Sequence, residues 1–110
     1  MALPLFREKR LSKRLRLSGL MPGKLVATAD KRNLSAKPVD VSAHGLGVLL
    51  AEEIAPGEYV ELQTPSGQIK LRIAWRQPDF GKRDMFRYGL VTEDMSVDLQ
   101  DIFAKANCLR

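Results

Sequence analysis

The chain has 110 residues, 45% of them hydrophobic and 28% charged, with a net charge of +5. That is the balance of one soluble globular domain with a single modest core. No apolar run approaches the roughly 18 residues of a membrane span, and one cysteine with one histidine excludes the common zinc frameworks and an internal disulfide.

Residues 1–16 read as a basic arm, extended or briefly helical, ahead of one domain over 17–110. The opening Met-Ala-Leu-Pro-Leu-Phe is too short for a signal-peptide core and runs straight into Arg7, Lys9 and Arg10, so the expected compartment is the cytoplasm. Residues 1–37 hold ten basic side chains against Glu8 and Asp30, a surplus of eight that leaves the remainder at −3. Such a segment attracts phosphates on a polymer or a small ligand, or is a solvated tail.

Gly19, Pro22 and Gly23 punctuate the chain before a first strand, Lys24–Ala29. Ser35–Ser42 alternates loosely, with Pro38 better suited to a sheet edge than to its centre. Leu46–Ala51 is a short apolar strand, and Pro56-Gly57 marks a turn. Glu58–Thr64 alternates at period two, Pro65-Ser66-Gly67 turns it back, and Gln68–Gln77 follows. In that strand the alternation predicts Ile69, Leu71, Ile73 and Trp75 on one apolar face, with Lys70, Arg72 and Arg76 on the other. A loop over Pro78–Asp84 leads to a strand over Met85–Glu93. In Ser96–Ala106, Leu99, Ile102, Phe103 and Ala106 recur at helical spacing, with Asp98 and Asp101 early and Lys105 late. Five to seven short strands and one helix predict a mainly β fold, a small antiparallel barrel capped by a C-terminal α-helix.

Two segments carry candidate chemistry. In Asp40-Val41-Ser42-Ala43-His44-Gly45, Asp40 and Ser42 stand two apart on an extended segment, so their oxygens can converge on one partner. Gly45 permits a positive φ or a close approach. The same residues can equally well bond their own backbone in a hairpin. In the arm, Arg10 and Arg14 fall on one face of a helix or clasp a ligand from two sides, each with a planar fork suited to phosphate and to stacking on a base. Together they suit a ligand with phosphates and a guanine edge, whose N1–H and N2–H2 donate to a carboxylate. A cyclic dinucleotide has both.

Arg10-x3-Arg14 followed by Asp40-x-Ser42-x-x-Gly45 resembles the cyclic di-GMP-binding type of the PilZ domain family, in the family's order. Leu46–Leu50, Arg72–Trp75 and Phe86–Asp94 also resemble its pattern, over about residues 8–104. The resemblance implies a stand-alone six-stranded β-barrel with a C-terminal helix, binding cyclic di-GMP at its surface beneath the arm. Arg10 and Arg14 would contact phosphates and stack on guanine, Asp40 and Ser42 would bond the guanine edge, and Gly45 would allow the turn. In the family the residue before the first arginine influences whether one ligand or a stacked pair binds. A cation there, Lys9, implies tolerance of a second ligand.

The resulting expectation is a non-enzymatic receptor whose ligand orders the arm and changes the surface shown to a protein partner, with no cofactor and no metal. The process regulated could be motility, exopolysaccharide, pili or gene expression. The alternatives are a basic barrel binding RNA or DNA, and an adaptor of the same fold that binds no ligand. His44 is expected in an exposed turn with no special role, and Trp75 in the core. Phe80 packs on the barrel end or anchors a partner.

Overall fold

The structure is a computed structural model that describes residues 15–16, 19–78 and 84–108. Lys9, Arg10, Arg14 and Phe80 lie outside the described residues. Among these residues eight strands and one helix follow in order: β1 (Leu15–Arg16), β2 (Lys24–Ala27), β3 (Asn33–Leu34), β4 (Ala36–Val41), β5 (Gly45–Leu50), β6 (Tyr59–Thr64), β7 (Gly67–Pro78), β8 (Phe86–Thr92) and α1 (Leu99–Lys105). All strands join one antiparallel sheet in the order β1-β4-β5-β8-β7-β6-β2-β3. The expected mainly β fold with a C-terminal helix is present, but the expected count of six strands is not. Two extra strands of only two residues each, β1 and β3, bring the total among the described residues to eight.

The sheet curls for a covalent reason. β3 ends one side of the strand order while β4 lies next to the other end, yet Ser35 alone separates them in the chain. The two margins must therefore meet at Ser35. Its N–H donates to the Glu52 carboxylate at 3.1 Å, which fastens that corner. Among the described residues, β1 pairs with Asp40 and Val41 of β4.

Period-two alternation builds the core: Leu46, Val48 and Leu50 of β5, Val60 and Leu62 of β6, and Leu71 and Ile73 of β7 are all at most 1% exposed. Leu99 and Phe103 of α1 close over them, both fully buried. Spacing predicts a helix from Ser96, but it starts at Leu99. Asp94 accepts from the N–H and the hydroxyl of Ser96 at 3.0 and 2.6 Å, holding that residue in a turn. Asp98 then caps α1 by accepting from the Asp101 N–H at 3.2 Å. At the other end Asn107 takes a left-handed φ of 59°. Its N–H reaches the Ala104 carbonyl at 3.0 Å, and the Cys108 N–H reaches that of Phe103 at 2.8 Å, satisfying the last turn.

Candidate ligand-binding site

Two β-bulges decide which side chains leave the core. On β4 the register shifts between Pro38, opposite Val48, and Asp40, opposite Gly47, so Val39 is the extra residue. Under strict alternation Asp40, two residues on, would share the inward face of buried Pro38. With the extra residue Asp40 points outward and Val41 turns in, fully buried. On β7 the shift falls between Ile73, opposite Leu90, and Trp75, opposite Gly89, so Ala74 is the extra residue. Bulges re-aim side chains in this way beside functional sites.

The expectation that Trp75 lies in the core is therefore wrong. The residue is 44% exposed. Strict alternation extrapolates Ile69, Leu71, Ile73 straight to Trp75, and the bulge at Ala74 reverses its face.

The two bulges deliver Asp40 and Trp75 to one row across four strands. Asp40 opposes Gly47, Gly47 opposes Gly89, and Gly89 opposes Trp75. A side chain on either central residue would displace its neighbour. A Cβ on Gly47 would fall 2.6 Å from Asp40 Oδ1, and one on Gly89 would collide with the Trp75 indole. The acid and the indole thus lean inward from either side over a bare glycine floor. Arg87, one outward step along β8 from Gly89, brings Nη2 to 3.7 Å from Asp40 Oδ2. These residues, with Gly45 and Val91, line a recess of about 270 Å³.

The motif residues divide between this recess and its support. Asp40 and Gly45 line it. Gly45 is the first residue of β5, paired with Val91. Ser42 is 7% exposed. Its N–H and hydroxyl donate to the Gly45 carbonyl at 2.8 and 3.4 Å, so in this state the serine ties the turn. His44, expected exposed, is half-buried. Its carbonyl accepts from the Thr92 N–H at 3.0 Å, and its Nδ1 lies 3.5 Å from the Thr92 hydroxyl. Among the described residues there is no cluster of ligating side chains that could hold a metal.

A family profile for the PilZ domain matches residues 8–105. The chain belongs to the PilZ domain family. A search of curated proteins returned no match. Among solved structures, one similar to this PilZ domain is described as the "PilZ domain with c-di-GMP of YcgR from Escherichia coli". It shares 17% identity over 90% of this chain and 98% of that one, with a TM-score of 0.45.

Trp75 as a site residue, together with Arg87, Gly47 and Gly89, escaped the sequence reading. One signal was present: isolated glycines inside strands mark a close approach by another group. Gly47 and Gly89 are such residues, but what approaches them depends on register that only the fold supplies. Among the described residues, no helix of this PilZ domain is long and apolar enough to cross a membrane.

Proposed function

We propose that the chain is a cyclic di-GMP receptor that holds the dinucleotide between the arm, through Arg10 and Arg14, and the Asp40–Gly45 segment. The observation that carries this reading is the pair of bulges that turns a motif carboxylate and the Trp75 indole out of the core and over a glycine floor. Membership of the PilZ family and the intact order of Arg10, Arg14, Asp40, Ser42 and Gly45 support it. Guanine N1–H and N2–H2 would donate to Asp40, while the arginine forks grip phosphate and cover the base. For Ser42 to join them, its hydroxyl must exchange the Gly45 carbonyl for the ligand. Ligand binding would fix the arm against the sheet and present a changed surface to a protein partner. The role is binding, not catalysis.

The test is isothermal titration of cyclic di-GMP into the wild type, Arg14→Ala and Asp40→Ala. Removing one partner of a buried charged contact costs about 2–5 kcal/mol, enough to carry micromolar binding out of range. Loss of binding in both variants supports one shared site; full retention in either removes that residue from it. Lys9 beside Arg10 leads us to expect two ligands per chain, which a stoichiometry of one would reject. The basic surplus of residues 1–37 favours one rival, a nucleic-acid binder. Affinity for a single-stranded oligonucleotide that falls steeply with salt, with no response to the dinucleotide, would establish it instead.

A further inference from the structure

The motif assigns Asp40 but not Arg87, and the geometry of that pair carries a second reading. Arg87 belongs to β8 and Asp40 to β4, with β5 between them. Both side chains rise from the outer face, 37% and 27% exposed respectively. The guanidinium reaches diagonally past Gly47 to set Nη2 3.7 Å from Asp40 Oδ2. That separation exceeds a hydrogen bond, so the two heads stand side by side instead of closing on each other. A carboxylate and a guanidinium thus share one edge of the recess, with the Gly47–Gly89 floor beside them.

This spacing suits one purine and opposes the other. Along one edge of guanine run two donors, N2–H2 and N1–H, and next to them two acceptors, O6 and N7. A carboxylate takes the donors, and an arginine fork beside it supplies O6 and N7. Adenine offers an acceptor at N1 and a donor at N6, so the carboxylate would meet a lone pair and the guanidinium an amine. Each member rejects adenine, and mismatches of that kind are an effective source of specificity.

We infer that Arg87 is a specificity-determining residue that reads guanine O6 and N7 alongside Asp40. This rests on the receptor reading above, and the experiment separates the two. Cyclic di-GMP, its 7-deaza analogue (lacking N7) and cyclic di-IMP (lacking the N2 amine) would be titrated into the wild type, Arg87→Met, Arg87→Lys and Asp40→Asn. Thermal melts would confirm that each variant folds; both side chains are partly exposed, so no core is disturbed. In the wild type, both analogues should bind about tenfold more weakly than cyclic di-GMP. In Arg87→Met, cyclic di-GMP should lose roughly 10-fold to 100-fold, in line with a bidentate arginine–guanine contact. The 7-deaza penalty should vanish there while the inosine penalty persists. Asp40→Asn should show the reverse, and Arg87→Lys should restore only part of the affinity because a point charge replaces the fork. If Arg87→Met keeps the 7-deaza penalty, or binds cyclic di-GMP like the wild type, the inference about Arg87 fails while the receptor stands. If the wild type binds none of the three, both fail together.

Discussion

Trp75 and Tyr88 show how single side chains divide the work on this sheet. Trp75 is the only tryptophan of the chain, and its indole rests over Gly89. In Gly89→Ala the new methyl would displace that indole at Nε1, Cε2 and Cζ2, while the core face of β8 stays untouched. We expect a red shift in tryptophan emission, weaker cyclic di-GMP binding and stability within about 1 kcal/mol of wild type. A collapse in melting temperature would instead make Gly89 a structural residue. Tyr88 works on the opposite face. Fully buried, it donates to the Glu52 carbonyl at 2.8 Å and accepts from the Ile54 N–H at 3.0 Å, stitching the loop after β5 to the core. Tyr88→Phe strands both backbone groups, so urea denaturation should show a loss of about 1–3 kcal/mol with ligand affinity unchanged. The Tyr59 hydroxyl donates to Glu93, and deprotonation would lose that bond and set a second anion beside the carboxylate, which raises its pKa from the ordinary tyrosine value. Any stability it contributes is present below pH 10 and is lost as pH rises through the raised value. Glu93→Gln should return its ring resonances to an ordinary alkaline midpoint in an NMR titration.

At the scale of elements, the bulges are what alternation could not supply. The six longer strands and the helix are legible because each runs for four residues or more as an alternating, apolar or helically spaced stretch bounded by turn residues. β1 and β3 have two residues each, too few to show one. Nor does any residue type announce that Val39 and Ala74 are extra. Each bulge follows from pairing with a partner strand, which is why Trp75 was misplaced and Arg87 unnoticed. Asp40 and Gly45 could be picked out because their chemistry is local to one hexapeptide, whereas the Asp40–Arg87 neighbourhood is made by register across β4, β5 and β8. The ends of α1 are equally local and can be tested alone. Asp98 caps the helix, and Cys108 lies beneath its last turn, 2% exposed, with burial raising its thiol pKa. Thiol labelling near neutral pH should therefore wait on opening of the helix. Asp98→Ala, at a cost of about 1 kcal/mol, should speed labelling roughly fivefold if α1 opens as a unit. An unchanged rate would mean that Cys108 is exposed by fraying of the last turn alone.

Over the whole molecule, the turn that follows Asp40 joins the recess to the C-terminal helix. The Ala43 carbonyl accepts the Leu99 N–H, the first amide of α1, at 2.8 Å, and the neighbouring His44 carbonyl accepts that of Thr92 at 3.0 Å. Residues 42–45 thus hold the end of β8 and the start of α1 on one side and reach the recess through Gly45 on the other. A ligand that closes on Asp40 and Gly45 would restrict this turn, and the amides of Thr92 and Leu99 would share the restriction. Hydrogen exchange distinguishes this from a response confined to the arm. At saturating cyclic di-GMP, exchange should slow over residues 5–18 and also at Thr92 and Leu99, and Asp40→Ala should abolish both effects. Slowing over 5–18 alone would place the partner-facing change in the arm and exclude the helix from it. Unchanged exchange over 5–18, with binding verified by titration, would overturn the ordered-arm switch itself. Slowing at all three would make α1 the second surface on which to look for a partner. Its exposed Asp101 and Lys105 would then be the first positions to substitute.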